Sequence, residues 1–293
     1  MTAPLSGVDE ITLGWLITGG ADADGVLWHL IDLDGWQDGA TRRGTFSDRV
    51  GRDGGFETRT YASPRVLIAR GWLRAPTNAA RDAAIDKVVG LLADGSTGTL
   101  AVREGHLSRT SRVVLSDQTT TDRDGRQQAF WSLQLTASDP RRYSTAPSSV
   151  TFGLAAGSTS GLDFTAPGLD FSGAGLDFGP PGSIGQGTLT NTGTAPTEPV
   201  FTITGPLPPF MLRAAATGAS IGYPAGLSAG ETLVVDVGRR TARLSGTADR
   251  RPAPAQWSGF TVPPGGSLTV SLVGTAGGSG TGLVTATCSP AYW

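Results

Sequence analysis

The ten residues QAFWSLQLTA, Gln128 to Ala137, alternate without a break. Phe130, Ser132, Gln134 and Thr136 fall on one side, and Trp131, Leu133 and Leu135 on the other. Successive side chains of an extended chain point to opposite faces, so this pattern reads as a β-strand with one face buried. Similar runs lie upstream. Arg65–Leu73 (RVLIARGWL) and Val26–Leu33 (VLWHLIDL) read as strands, the second closed by Asp34-Gly35, a favoured hairpin dipeptide. Ile11–Ile17, Thr58–Tyr61, Thr99–Arg103 and Arg112–Ser116 complete the set expected in the first half. Trp28, Trp72 and Trp131 lie in these strands and are expected in the core.

Composition points the same way. The chain has 293 residues with 43 Gly and 19 Pro, about a fifth of all positions against an average usage of roughly 12%. Hydrophobic residues make up 38% and charged residues 16%, a balance that excludes a helical bundle, a coiled coil and a charge-rich disordered tail. The fold class expected is mainly β. One helix interrupts it, Asn78–Ala93, with Thr77 as N-cap and Asp94-Gly95 as the stop. Its stripe of Ala84, Ile85, Val88, Val89, Leu91 and Leu92 must lie on a sheet.

The halves differ in construction. Residues 1–143 hold 17 basic and 18 acidic groups, whereas residues 144–293 hold 6 and 7. The sequence Ser138-Asp139-Pro140-Arg141-Arg142-Tyr143 marks a boundary, giving an N-terminal domain over 1–143 and a Gly/Pro-rich linker or arm over 144–184. Within that arm GLDF recurs three times at a seven-residue period, at Gly161, Gly168 and Gly175. The Gly and Pro between the repeats exclude a coiled coil. Either a flexible linker or a docking arm fits, the latter offering Leu162, Phe164, Leu169, Phe171, Leu176 and Phe178 to a neighbour. From 185 to 293 short strands recur every 8–12 residues, as in an antiparallel β-sandwich. They are Gly187–Asn191, Val200–Gly205, Met211–Ala214, Glu231–Val237, Ala242–Ser245, Ser267–Leu272 and Gly282–Cys288.

The residues offer little chemistry. The two histidines, His29 and His106, read as structural or surface groups, and no HExxH, GxSxG or P-loop occurs. Cys288 is the one cysteine, so neither an intrachain disulfide nor a cysteine-based zinc site can be built. Three Asp-x-Asp-Gly stretches, at Asp22, Asp32 and Asp122, begin like calcium loops but lack the third acidic ligand and the glutamate at the twelfth position, so tight turns are expected. No catalytic residue, metal or cofactor is expected, and no enzyme activity. The first ten residues lack the basic and apolar regions of a signal peptide, and no apolar run reaches the roughly 20 residues of a bilayer span. Synthesis in the cytoplasm without membrane insertion is the expectation. A net charge of −2 gives the whole chain no pull toward nucleic acid. Trp257 and Trp293, outside the strands, are the candidates for stacking on a sugar.

Gln37–Phe56 (QDGATRRGTFSDRVGRDGGF) is a polar stretch of a length that is usually functional or disordered. It falls between WHLIDLDGW and YASPRVLIARGWL. A helix with AIDKVVGLL follows, then LAVRE and FWSLQLTASDPRRY. This order resembles the distal tail protein family of long-tailed, non-contractile bacteriophages, particularly those of actinobacteria. In the second half, LTNTGTAPTEPVFTITGPL, LSAGETLVVDVGRRTARLSG and VPPGGSLTVSL resemble the galectin-like sandwich that ends such proteins. The resemblance implies a homohexameric ring at the virion tail tip, with a belt of N-terminal domains around the channel. It also implies contacts to the tail tube, the tail-tip hub, the tape measure protein and receptor-binding or fibre proteins, with DNA passing only as cargo. A head-to-tail ring needs two different matching faces, and the polar stretch suits one of them through Arg42, Arg43, Phe46, Arg49, Arg52 and Phe56. The alternative is a glycan-binding sandwich used for attachment to a host surface.

Overall fold

The computed structural model describes residues 8–45, 47–155, 185–249, 257–274 and 280–293. The chain separates into two units, Met1–Thr145 together with Trp293, and Ala146–Tyr292. Both are mainly antiparallel β. The GLDF repeats and Phe46 lie outside the described residues.

The first unit is built on strands β1 (Glu10–Leu13), β2 (Leu27–Asp34) and β3 (Arg65–Arg74), helix α1 (Asn78–Val89), and strands β4 (Thr97–Glu104), β5 (Leu107–Leu115), β6 (Thr120–Asp124) and β7 (Gln128–Ala137). The alternating stretch is the spine of the sheet: all ten residues of β7 pair antiparallel with β3, from Gln128 opposite Arg74 to Ala137 opposite Arg65. On its other edge β7 pairs with β5 through Val114 and Leu115, and with β6 over five residues. Strand β3 pairs in turn with β2, across a register shift between Leu30 and Asp32. At the far side β5 pairs with β4, and β4 with β1.

A single short stretch then closes the path. Leu16–Ile17 pairs with β1 and Gly20–Ala21 pairs with β2. Between them the Thr18 N–H donates to Ile11 O at 3.0 Å and the Gly19 N–H to Trp28 O at 2.8 Å. The buried Thr18 hydroxyl also accepts from the Ile11 N–H at 2.9 Å. The sheet therefore returns on itself and leaves little unpaired edge. The expected single strand Ile11–Ile17 is broken at Gly14, whose φ of +59° suits the turn that folds Leu16 back beside Leu13.

The inward residues of β1 to β5 and β7 meet in one core: Ile11, Leu13, Trp28, Leu30, Leu67, Leu73, Leu100, Val102, Val113, Trp131, Leu133 and Leu135. Helix α1 adds Ala84, Ile85, Val88 and, just beyond its end, Leu91. Its N-cap is Thr77, whose Oγ1 accepts from the Ala80 N–H at 3.1 Å; the helix stops at Gly90, four residues before the expected Asp94. Trp28 and Trp131 are buried as expected. Trp72 is only half-buried, because it shares the outward parity of Ile68 and Arg70. Gly71 is required by close approach: a Cβ there would stand 2.2 Å from the Trp131 ring and 2.3 Å from His29 O.

The second unit takes in β8 (Ser148–Gly153), β9 (Gln186–Thr190), β10 (Val200–Thr204), β11 (Phe210–Ala214), β12 (Ser220–Tyr223), β13 (Thr232–Asp236), β14 (Thr241–Leu244), β15 (Ser267–Gly274) and β16 (Leu283–Cys288). One sheet runs β8-β16-β10-β13-β14 and ends on Ala248–Asp249; the other runs β9-β15-β11-β12. Their inner faces share a core around Phe201, Ile203, Leu212, Ile221, Leu233, Phe260, Val270 and Val284. Strand β8 lies in the stretch read as linker, and β12 was not anticipated. Both are short and rich in Ser and Gly, so they carry little strand signal. Asn191, 1% exposed, donates to Ala195 O at 2.8 Å and accepts from the Gly193 and Ala291 N–H groups, tying three loops.

Two outcomes are expected. Gly71→Ala forces the Trp131 ring to move and should cost about 1–3 kcal/mol in urea unfolding, with the far-UV spectrum of the folded fraction unchanged. Cys288 is 4% exposed and burial pushes its thiol up to about 11. Its neutral form is the folded one, so a disulfide reagent at pH 8 should leave it intact until denaturant unfolds the second unit.

Candidate assembly surface

Where Asp34-Gly35 was expected to turn a tight hairpin, the chain instead leaves the sheet, and it returns only at Arg65. Gly35 has φ +78° and passes so close to β3 that a Cβ would meet Val66 O at 2.2 Å. Trp36 follows, fully buried. The stretch read as a polar loop is a two-stranded ribbon. Arg42–Arg43 pairs with Tyr61–Ala62, and Ser47–Asp48 with Gly55–Phe56. The Ser63 N–H donates to Thr41 O at 2.8 Å, and the Arg49 N–H to Gly54 O at 3.1 Å beside the tip. Gly51 and Gly54, both at positive φ, make the reversal.

Two buried arginines clamp the base. Arg65, 3% exposed, donates through Nη1 to Gly35 O at 2.8 Å, to Trp36 O at 3.3 Å and to Asp38 O, and through Nε to Pro140 O at 3.0 Å. Arg142, 7% exposed, donates through Nη1 to the same Trp36 O at 2.8 Å and through Nη2 to Trp293 O. Its guanidinium lies 5.6 Å from the centre of the Trp36 ring. Burial lowers the pKa of both groups, and for Arg142 the neighbouring Arg65 and Arg109 add to the effect, bringing it to about 10. Both stay charged at neutral pH. Nearby, burial pulls the Asp139 carboxyl upward, but its hydrogen bonds from Arg141 and the Tyr143 hydroxyl win and hold it below the usual carboxylate range. Neither clamping arginine was singled out from the sequence. The signal for Arg65 was present, since it shares the inward parity of Leu67, Ala69 and Leu73.

Of the residues expected on a contact surface, Arg42, Arg43, Arg49, Arg52 and Phe56 all stand on this ribbon and are exposed. Arg49 lies over the Phe56 ring at 5.5 Å and Arg59 over Tyr61 at 5.3 Å. Val50 at the tip is 100% exposed, Phe56 59% and Tyr61 55%. Arginine stacked on exposed aromatics is the side-chain mixture that protein interfaces favour. The six Leu and Phe positions of the GLDF arm lie outside the described residues. Trp257 packs against the core of the second unit, and Trp293 has Arg42 over its ring at 5.5 Å.

The Asp-x-Asp-Gly stretches act in turns and strand ends. Asp22 accepts from the Asp24 and Val26 N–H groups, each at 2.9 Å, and from Trp28 Nε1 at 2.9 Å. Among the described residues no cluster of three His, Cys, Asp or Glu side chains could hold a metal ion. A groove of about 410 Å³ beside α1 is lined by Val26, Pro76, Ala80 and Ala84, and its two titratable groups, Asp24 and Lys87, are bonded to each other. No helix among the described residues is long and apolar enough to cross a membrane.

No family model matches this sequence, and no curated protein matches it. The fold does have close counterparts among solved structures. It is similar to the SPP1 Dit (gp 19.1) protein, described as a paradigm of the hub adsorption apparatus in phages infecting Gram-positive bacteria. That match has a TM-score of 0.62 at 12% identity and covers 97% of this chain and 99% of that one. It is also similar to a chain of the phage P2 baseplate in its activated conformation with calcium, with TM-score 0.53 at 9% identity, covering 96% and 97% of the two chains. The strontium form gives 0.52 at 10%, covering 95% and 97%. At such identities the likeness is one of fold.

Removing the clamp should loosen the ribbon. Arg65→Ala leaves the carbonyls of Gly35, Asp38 and Pro140 without this donor, Trp36 O keeping its bond from Arg142, and should cost about 2–3 kcal/mol in global stability. Limited trypsinolysis should then cut at Arg49 and Arg52 several-fold faster than in the parent protein. Equal cleavage rates would show that the ribbon is held by its own pairing.

Proposed function

We propose that this chain is a structural, non-enzymatic component of a phage tail tip, which works by assembling. The observation that carries the reading is the fold likeness to SPP1 Dit, which runs over nearly the full length of both chains and includes both units. The two baseplate matches support it from a second phage. The ribbon supports it physically. A two-stranded ribbon projecting from a sheet is marginal by itself, and this one carries exposed aromatics and arginines that gain by being covered.

In this reading the first unit forms a homohexameric belt around a channel through which DNA passes as cargo. The ring joins the tail tube and tape measure protein on one side to the tail-tip hub on the other, and carries receptor-binding or fibre proteins. The first unit would be the ring domain, expected over 1–143, and the second the sandwich, expected over 185–293, which β8 from the segment expected as an arm over 144–184 joins. Chemistry is not demanded of any residue, in keeping with a groove whose charged groups are already bonded to each other. The alternative, glycan reading through Trp257 and Trp293, is less well supported, because one ring packs against the core and the other has an arginine over it.

Light scattering and negative-stain imaging of the full chain test this reading. The expected result is a species of six times the chain mass with a central hole. Replacing Thr45–Glu57 by a short Gly-Ser turn should give a folded monomer. A parent protein that stays monomeric at high concentration and does not join purified tail tubes overturns the proposal.

A further inference from the structure

We propose that the ribbon of one copy docks on the outer face of the β2–β3–β7–β6 sheet of a second copy; this rests on the assembly reading above and gives it a specific surface. The outward residues of these four strands form rows across the sheet. His29 stands opposite Trp72, Trp72 opposite Phe130, and Phe130 opposite Asp122. The His29 and Trp72 rings are 5.0 Å apart. Phe130 is 38% exposed and Val66, on the same face, 51%. The strands thus present an aromatic centre in the open, on the side opposite the core.

Carboxylates flank this centre. On one side Asp32 and Asp34 share Arg70, at 3.4 and 2.5 Å, and on the other stand Asp122 and Asp124 of β6. Crowding shows in the first pair. Burial and then Asp34 raise the Asp32 pKa, while hydrogen bonds from Asp32 and Arg70 lower that of Asp34. With Arg74 included, the face holds four carboxylates against two arginines, a net charge of −2. The ribbon from Arg42 to Tyr61 has the opposite balance, with Arg42, Arg43, Arg49, Arg52 and Arg59 against Asp48, Asp53 and Glu57, a net charge of +2. The two surfaces are complementary in balance: an excess of arginine and an apolar tip on the ribbon, an excess of carboxylate around aromatic rings on the sheet.

A second copy is the occupant this arrangement favours. Head-to-tail assembly requires two different, complementary patches on one chain, and both are here. Face-to-face pairing of two such sheets would instead oppose like charges. Reach is adequate, since about eight residues separate the ribbon base from its tip, roughly 25 Å at 3.3 Å per residue.

A charge exchange on the full chain tests this docking. Asp122→Arg with Asp124→Arg, and separately Arg49→Asp with Arg52→Asp, are all exposed changes whose folding is checked by circular dichroism. Each pair should raise the concentration needed for assembly at least tenfold. Combining all four should return it to within about threefold of the parent value, and assembly of the parent should weaken from 50 to 500 mM NaCl as screening shortens the attraction. If the ribbon pair disrupts assembly but the sheet pair does not, the ribbon docks elsewhere and this inference falls while the assembly reading stands. If the sheet pair strengthens association, the faces pair with each other and the inference likewise falls. A parent protein that never associates defeats the assembly reading itself.

Discussion

Ten consecutive residue pairs between Arg65–Arg74 and Gln128–Ala137 set the register of the first unit. Because the side-chain period of a strand is two, a slip of one residue would turn Trp131, Leu133 and Leu135 to solvent and bring Gln134 and Thr136 inward. Gly71 under the Trp131 ring favours this register, since any Cβ there would press on the indole and the His29 carbonyl. The remaining strands are placed by pairing outward from these two, and the path closes where Thr18 satisfies both the N–H and the carbonyl of Ile11. A closed sheet has one inside, and that is why the apolar residues of β1 to β5, of β7 and of α1 gather in a single core.

The closed sheet also explains how an extended polar segment is held. Twenty-nine residues lie between Gly35 and Arg65. Among the described ones Trp36 joins the core, the ribbon pairs within itself, and two buried arginines hold its base. Two buried guanidiniums there donate chiefly to backbone carbonyls, an arrangement suited to a take-off point where the chain has left the sheet ladder and its carbonyls need new donors. The planar fork of arginine serves several carbonyls at once, which an ammonium group does less well. The second unit solves the same problem differently: Asn191, a neutral amide, donates and accepts within three loops at the edge of its core. In both places buried polar groups serve to position loops.

The two units differ in surface chemistry. Charged groups of the first unit are disposed as opposite balances on separate surfaces, and aromatics outside its core include those of the stacked pairs Arg49–Phe56, Arg59–Tyr61 and His29–Trp72. The second unit is weakly charged, and Thr pairs link neighbouring strands across its sheets, as between Thr151 and Thr285 and between Thr188 and Thr269. The halves that differed in composition are thus two units of different surface chemistry.

Alternation and turn residues are local properties, and they were sufficient to read the class of fold, the strands β2, β3 and β7, the Thr77 cap and most strands of the sandwich. The ribbon residues Arg42, Arg43, Arg49, Arg52 and Phe56 were likewise legible as one polar, Arg-rich stretch of unusual length. What the sequence alone did not decide is what depends on residues far apart in the chain. The break of Ile11–Ile17 at Gly14 is visible only once Leu16 has a partner in Leu13. The outward place of Trp72 depends on which parity faces the core, and the ends of β8 and β12 on neighbours that their short, polar sequences do not announce. The joint hold of Arg65 and Arg142 on the Trp36 carbonyl spans 106 residues. The acidic rim of the sheet likewise joins distant parts of the chain, Asp32 and Asp34 on one strand with Asp122 and Asp124 on another. The sequence determined which residues form strands and turns, because backbone propensity and side-chain period act within a few residues. Tertiary structure decided which strands meet, because pairing partners are selected by closure around a shared core.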